Sequence, residues 1–260
     1  MRNFLKNFKK FNGFEIIKQY TKAGILLFAI TEVIRLGTSD KALEIFRLSV
    51  QFKIQNKLKK KYGYVLKRFD AQTVQNMEHK QSDIVWFCWF QGIENAPLLV
   101  KRCYESVKEN MIGREIVVLT THNIFDYVSF PDHIIDKWKS GIITNTHFSD
   151  LLRLELLIRY GGLWIDATVL CTDKDIPHYF YDSDLFIYQK LKPGKDGHAN
   201  IISSWFISAK SNNLILCAAR DLLYEYWKTN NSMIDYGLIH MFISITAELF
   251  PEEWNKVPKV

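Results

Sequence analysis

The sequence predicts an α/β protein in which a layered sheet is preceded by a basic helical segment. Beyond residue 82, short apolar runs of strand length alternate with stretches of helical periodicity, a pattern typical of a sheet flanked by helices. Before residue 70, apolar side chains recur at helical intervals instead. With 260 residues, 48% of them hydrophobic, the chain can bury one sizeable core. We therefore predict a helical appendage over residues 1–70 and one α/β domain over residues 71–260.

The appendage is the basic part of the chain. Through Asp70 there are 16 Lys and Arg against 5 Asp and Glu, a net charge of +11, whereas the remainder carries −5. Basic, Phe-rich helices favour the anionic surface of a membrane, although packing of the same apolar faces on the α/β domain, or a solvated helical surface, explains them equally well. No nucleic-acid-binding module is recognisable, so we expect no nucleic-acid partner.

The cysteines and the longest apolar run bear on where the protein works. The 4 cysteines are scattered without close pairs, which fits neither a zinc knuckle nor a disulfide framework and favours a reducing compartment. The best apolar run, residues 23–30, is too short to cross a bilayer. We expect a cytoplasmic protein, and the basic appendage leaves open a peripheral attachment to the inner face of the cell membrane.

Strands and helices alternate along the α/β domain. The predicted strands are residues 84–90, 115–120, 163–170, 184–189 and 204–209. The predicted helices are residues 97–109, 131–139, 149–160, 213–228 and 236–250. Ser149-Asp150 can cap the third of these helices, and Gly161-Gly162 ends it in the way that a left-handed C-terminal turn requires.

Asp166 stands out because it is a carboxylate inside an apolar strand. Period-two alternation over residues 163–170 places it on one face with Trp164 and Thr168. Burying an isolated carboxylate costs several kcal/mol, on the order of the effective penalty for ions in proteins, so Asp166 needs a cation, a metal or a ligand hydroxyl beside it. The purely structural alternative is a turn cap or an Arg partner.

The helix before that strand carries a second pair of charged residues. Asp150 and Arg153 are three positions apart, so they project from one face near the predicted start of the helix. The start of a helix attracts anions, and Arg153 would strengthen the attraction for a diphosphate, while Asp150 could accept hydrogen bonds from sugar hydroxyls. An ordinary surface ion pair is the competing explanation.

These residues lie in a longer pattern that resembles a known family. The run His147-Phe-Ser-Asp-Leu-Leu-Arg-Leu-Glu-Leu-Leu-Ile-Arg-Tyr-Gly-Gly-Leu-Trp-Ile-Asp-Ala-Thr-Val is similar to the sugar-binding DXD region of glycosyltransferase family 32 and, more closely, to bacterial capsular polysaccharide synthesis proteins. The resemblance continues upstream in Ile84-Val-Trp-Phe-Cys-Trp-Phe-Gln-Gly. Downstream it continues, more loosely, in Asn200-Ile-Ile-Ser-Ser-Trp-Phe-Ile-Ser-Ala and Asp235-Tyr-Gly-Leu-Ile-His, so that it spans roughly residues 84–250.

The resemblance implies a GT-A type fold, that is, a Rossmann-like mixed sheet flanked by helices, and the activity of a hexosyltransferase. The donor would be a nucleoside diphosphate sugar, with a UDP-sugar favoured. The acceptor would be a hydroxyl of a growing capsular or similar cell-surface polysaccharide, lipid-linked during synthesis. The family implies transfer with retention of the anomeric configuration, for which no protein nucleophile is expected.

The family pattern also assigns roles to individual residues. By position, Trp89 stacks on the donor base, Asp150 holds the hydroxyls of the donor sugar, and Arg153 contacts the diphosphate or the sugar. Asp166 takes the first acidic place of the DXD. Asp166 and Arg153 are the expected catalytic residues. Thr168 stands in the second acidic place.

Two further residues and a metal ion are implied less directly. Trp205 is expected to flank the donor, although a Trp in a strand is usually a core residue. A divalent cation, Mn²⁺ or Mg²⁺, would be held by Asp166 and by His240, although a lone His in an apolar helix is usually a hydrogen-bonded core residue. Because a neutral hydroxyl is a poorer ligand than a carboxylate, Thr168 leaves metal dependence open.

One alternative belongs to a different functional class. A protein with Thr168 in the second acidic place could bind sugar nucleotides or glycans without turning them over, as a non-catalytic subunit of a polysaccharide synthesis complex. Donor hydrolysis would distinguish it from an enzyme.

Overall fold

A computed structural model of the chain describes residues 13–189 and 202–260, with side chains from residue 16 onward. Residues 1–12 of the predicted appendage, and Asn200 and Ile201 of the downstream motif, lie outside the described ranges. Among the described residues, no helix combines the length and the apolar character needed to cross a membrane.

Helices account for the described part of the appendage. They are α1 (Gly13–Lys22), α2 (Leu26–Leu36) and α3 (Asp40–Arg68), followed by the short α4 (Ala71–Gln75). Ser39 begins α3, because its side chain accepts a hydrogen bond from the Ala42 backbone N–H. The buried side of α3 joins the main core, where Tyr62 meets the ring of Phe242 edge-on at 6.0 Å.

The predicted mixed sheet flanked by helices is confirmed. Its strands are β1 (Ile84–Cys88), β2 (Glu115–Leu119), β3 (Gly162–Ile165), β4 (Leu185–Gln189) and β5 (Ile202–Ala209), in the order β2-β1-β3-β5-β4. The strands β2, β1 and β3 are parallel, whereas β5 runs antiparallel to both β3 and β4. At the centre of the sheet, Trp86 lies opposite Val117 on one side and opposite Trp164 on the other.

Helices cover both faces of this sheet. The domain helices are α5 (Leu98–Asn110), α6 (Ile124–Tyr127), α7 (Asp132–Lys139), α8 (Asn145–Tyr160), α9 (Tyr179–Asp182), α10 (Leu214–Thr229), α11 (Leu238–Leu249) and α12 (Pro251–Trp254). Along β1, Trp86 and Cys88 point into a core shared with α8, α10 and α11, whereas Val85 and Phe87 point into a second cluster shared with α5 and α9. Each strand of the centre is therefore buried on both sides, as parallel sheets require.

Two predicted boundaries near the charged residues were wrong. The helix α8 begins at Asn145, not at Ser149-Asp150, because the Phe148 N–H already donates to the Thr144 carbonyl at 2.8 Å. Asp150 and Arg153 therefore lie in the second and third turns, and Ser149 donates its hydroxyl to the Thr146 carbonyl instead of capping the helix.

The strand β3 is shorter than the predicted 163–170. The strand ends at Ile165, and Asp166 is the first residue of a turn. In this turn the Val169 N–H donates a hydrogen bond to the Asp166 carbonyl at 2.9 Å. The glycine prediction is confirmed, since Gly161 and Gly162 have φ values of +70° and +96°. Only glycine takes such angles without strain, so α8 turns into β3 with no loop between them.

Candidate active site

A cavity of about 370 Å³ opens at the carboxyl ends of the parallel strands β1 and β3. The segment after β1, the first three turns of α8, the turn after β3, Ser204 of β5 and the start of α11 all contribute side chains to it. Open α/β sheets bind ligands at this edge, where loops leave the strands. From the first turn of α8, Asn145 and Thr146 also line the cavity.

Arg153 is the most deeply buried charge of the cavity, with a side chain only 4% exposed. Its Nη1 donates to the Ser204 carbonyl at 2.6 Å and its Nε to the Ser149 carbonyl at 3.2 Å. Its Nη2 lies 3.2 Å from the Asp150 carboxylate and 3.3 Å from the Asp166 carboxylate. One guanidinium thus joins two acidic residues that are distant in sequence, using the fork of donors that only Arg offers.

Asp166 is held from three directions. Its Oδ1 accepts a hydrogen bond from the indole Nε1 of Trp164 at 2.7 Å and faces Arg153, while its backbone N–H donates to the Trp205 carbonyl at 2.8 Å. The indole ring of Trp164 also lies 4.9 Å from the Arg153 guanidinium, a cation–π contact. These contacts fix the position of the Asp166 carboxylate, and one third of the side chain remains exposed to the cavity.

Asp150 links Arg153 to two further side chains, His147 and Tyr236. Its carboxylate is 13% exposed and lies 3.6 Å from Nδ1 of His147, one turn earlier on α8. The His147 ring meets the ring of Tyr236 edge-on at 5.6 Å, and Tyr236, which is largely exposed, lines the cavity before α11.

Trp89 follows β1 and lines the cavity. Its backbone N–H extends the sheet by donating to the Leu119 carbonyl at 3.0 Å. Its indole Nε1 is buried, and within the described residues no acceptor reaches it. Burial raises the pKa of the neighbouring Cys88 thiol to about 12, which favours the protonated thiol over the nucleophilic thiolate.

The remaining sequence candidates divide into two groups. Thr168, on the turn after β3, and His240, on α11, both line the cavity with Asp166. Across residues 13–189 and 202–260, no group of three or more His, Cys, Asp or Glu residues is arranged to hold a metal ion. A cation at Asp166 would consequently take most of its ligands from a bound substrate or from water.

Trp205 is the one predicted donor residue whose side chain does not line the cavity. The pairing of β4 with β5 jumps from Ile187–Ile207 to Tyr188–Ser203, which marks a bulge in β5. The bulge turns Ser204 towards Arg153, whereas Trp205 stacks on Tyr188 at 4.8 Å and 19° on the opposite side of the sheet. Bulges re-aim side chains in this way next to functional sites.

Some residues in or next to the cavity were not identified from the sequence. Ser149, which lines the cavity, and His147, which contacts Asp150, both stand inside the quoted motif, so their spacing to Asp150 could have indicated them. Tyr236 follows Asp235 in the loop before α11, and only its exposure in the fold distinguishes it from a core aromatic. Ser204 contributes its backbone carbonyl, which no side-chain pattern reveals.

Comparisons with known proteins find one matching family and several similar proteins. A family model described as capsular polysaccharide synthesis protein matches residues 38–260. O-glycosyltransferase PaGT of Phomopsis amygdali is 29% identical, with the match covering 50% of this chain and 36% of that protein. O-glycosyltransferase braB of Annulohypoxylon truncatum is 27% identical over 55% of this chain and 37% of that protein.

The chain spans only about a third of the length of these two relatives. Both are fungal proteins, so the bacterial character expected from the sequence remains a prediction. Among solved structures, the PaToxG glycosyltransferase superposes with a TM-score of 0.45 and 12% identity over 83% of each chain. At that level of similarity the superposition does not identify a common activity.

Proposed function

Since the chain belongs to the capsular polysaccharide synthesis protein family, we propose that it is a glycosyltransferase that moves a sugar from a nucleoside diphosphate to a hydroxyl of an acceptor glycan. The two fungal relatives are O-glycosyltransferases, which supports a transferase. The finer part of the proposal is a UDP-sugar donor, a lipid-linked capsular or similar polysaccharide as acceptor, transfer with retention, and work at the cytoplasmic face of the cell membrane.

One observation carries the proposal: a single buried guanidinium joins two carboxylates at the mouth of a cavity beside the end of a parallel strand. In the reaction, the bond between the anomeric carbon and the diphosphate oxygen breaks, and the acceptor oxygen bonds to that carbon and loses its proton. Negative charge develops on the departing diphosphate. Arg153, fixed before the donor arrives, stabilises that charge, and the first turn of α8 assists it.

Both carboxylates position the sugar part of the donor. Asp150 accepts hydrogen bonds from the donor-sugar hydroxyls, and Asp166, which contacts the same Arg153 nitrogen, orients the donor. Trp89 lines the same cavity and supplies a flat apolar surface for the base. With retention, the acceptor approaches from the face that the diphosphate leaves, so a departing phosphate oxygen can take the acceptor proton.

The charge of the cavity bears on the proposed divalent cation. Asp150 and Asp166 outweigh Arg153, so this group carries a formal charge of −1 and would repel a diphosphate. A divalent ion reverses that sign, which is the chemistry that Mn²⁺ or Mg²⁺ supplies when bound. The residues present fit such an ion in charge, and Asp166 and His240 would hold it, with the diphosphate completing its ligands.

A thermal-shift screen with UDP- and GDP-sugars, with and without Mn²⁺, tests the proposal. A donor at about a hundred times its Kd stabilises the folded state by about 2.7 kcal/mol, which is roughly 5–10 °C for a chain of this size. Asp166→Asn should abolish the shift. Asp173→Asn is the matched control, because Asp173 sits in an exposed turn and does not line the cavity.

Release of the nucleoside diphosphate, measured in parallel, separates the two functional classes. An enzyme releases it in a reaction that Asp166→Asn and Arg153→Lys slow strongly. Donor binding without any release, in the presence of Mn²⁺ and glycan acceptors, would identify a sugar-nucleotide-binding subunit instead. If no donor shifts the melting temperature and none is hydrolysed, the proposed function fails.

A further inference from the structure

The helix α2 presents a ridge of exposed apolar side chains. Leu27, Ile30 and Ile34 are 80%, 47% and 78% exposed. Their spacing of three and four residues places them on one face of the helix, and the buried Ala29 and Glu32 occupy the other. Single exposed apolar residues are ordinary, but a contiguous ridge on one short helix marks a surface that contacts something apolar.

The neighbouring helix α3, which packs on α2, has the same character near its start. Ile45 and Phe52 are 50% and 60% exposed and lie two turns apart, so they share a face of α3. The helix pair therefore holds five large exposed apolar side chains within residues 27–52. No other described stretch of similar length holds as many.

Lysines gather beside the beginning of α2. Lys57 of α3 donates from Nζ to the carbonyls of Ala23 and Gly24, immediately before α2, and Lys53 lies 5.3 Å from the ring of Phe28 within it. Lys57 also shares a cavity of about 210 Å³ with Lys22 and Lys61.

No carboxylate from the described residues lines this lysine cavity. The one acidic residue of α2, Glu32, is buried and paired with Arg35 at 2.7 Å. The helix that carries the apolar ridge thus has lysines beside its first turn, and no carboxylate in the described part of the chain lines the cavity that three of the lysines share.

We propose that α2 docks on the surface of an anionic bilayer, with Leu27, Ile30 and Ile34 among the upper acyl chains and the adjacent lysines on the phosphate headgroups. An apolar helical face beside lysines is the arrangement of interfacial helices that lie in the plane of a membrane. A second copy of the chain is a poorer occupant, because pairing two such faces brings their lysines together and like charges repel. Docking would keep the enzyme at the surface that carries a lipid-linked acceptor, a consequence that rests on the proposed function.

Sedimentation with vesicles tests this directly. The full chain should sediment with vesicles of phosphatidylcholine containing about 30% phosphatidylglycerol, should stay in solution with phosphatidylcholine alone, and should be released by high salt. The triple variant Leu27→Ser, Ile30→Ser, Ile34→Ser should lower the partition coefficient at least about tenfold, because three side chains lose their apolar contact with lipid.

A matched variant controls for the loss of exposed apolar surface in general. Leu98, Leu99 and Ile112 are 71%, 63% and 74% exposed but lie on and after α5. Replacing these three by Ser should change the partition coefficient less than about twofold. Both variants should keep the donor-dependent melting shift of the unmodified chain, which separates membrane docking from the donor site.

Two results would overturn the proposal. The first is that the unmodified chain and the triple α2 variant sediment equally with the anionic vesicles, or that neither binds them. The second is a dimer in sedimentation velocity without vesicles that the α2 substitutions convert to a monomer, since the ridge would then be covered by a second copy.

Discussion

Replacing Arg153 by Met removes the guanidinium and keeps most of the apolar stem. The arginine is 4% exposed, and it satisfies the Ser204 carbonyl at 2.6 Å as well as two carboxylates. Its loss leaves the Asp150 carboxylate, only 13% exposed, without its cation. Removing one partner of a buried ion pair costs about 3–5 kcal/mol. Most of that cost comes from Asp150, because solvent screens the one-third-exposed Asp166.

Urea unfolding followed by tryptophan fluorescence measures this cost. The free energy of unfolding of Arg153→Met should fall by about 3–5 kcal/mol with an unchanged m-value. Arg159→Met is the control on the same helix: Arg159 is exposed and packs over the Tyr160 ring at 5.5 Å, so its loss should cost less than about 1 kcal/mol.

A double-mutant cycle checks the assigned cause. In an Asp150→Asn background there is no stranded carboxylate at that position, so Arg153→Met should cost about 1–3 kcal/mol less than in the unmodified chain. Additive effects of the two substitutions, or a cost of Arg153→Met close to that of Arg159→Met, would refute the argument that Arg153 neutralises Asp150.

Two further predictions concern the frame of the site. A Cβ at Gly162 would lie 2.4 Å from the Ile84 carbonyl oxygen, whereas Gly113 also has a positive φ but open space around it. In urea unfolding, Gly162→Ala should therefore lower the free energy of unfolding by at least about 2 kcal/mol more than Gly113→Ala does. Equal losses for the two variants would contradict the close approach. Burial raises the pKa of Glu155 above its ordinary 4.5, against the lowering effect of the Tyr224 hydroxyl, so its stabilising contribution is full below pH 4.5 and is lost as the pH rises through the raised value. The melting temperature of the unmodified chain minus that of Glu155→Gln should therefore decrease from pH 4.5 upward, and an increase would contradict it.

The strands and most helices of the fold follow from the sequence because their burial sets the pattern of apolar residues. The end of β3 does not. Apolar and polar residues alternate over residues 163–170, and this alternation continues through the turn between Asp166 and Val169. The local pattern is therefore the same for the hydrogen-bonded strand and for the turn that follows it. The start of α8 was missed for the opposite reason, because Asn145 and Thr146 are polar and carry no helical apolar periodicity.

The candidate site divides in the same way. Asp150, Arg153 and Asp166 could be grouped from a motif because their contacts depend on side chains at fixed spacing. The side chain of Trp205 could not be placed, because a bulge in β5 decides its direction and a bulge depends on the pairing of two strands. The acceptor for Arg153 on β5 is a backbone carbonyl, which any residue type provides.

Because α8 leads directly into β3, the number of residues between Arg153 and Asp166 determines whether the two side chains meet. From Arg153 the chain descends about 10 Å along the helix to Tyr160 and, after the two glycines, climbs about 13 Å along the strand to Asp166. The two paths nearly cancel, which returns the carboxylate to the level of the guanidinium. One inserted residue would rotate the helix by about 100° or turn the strand face over. Variation in this stretch should therefore take the form of substitutions, whereas insertions and deletions should be confined to the loops that follow.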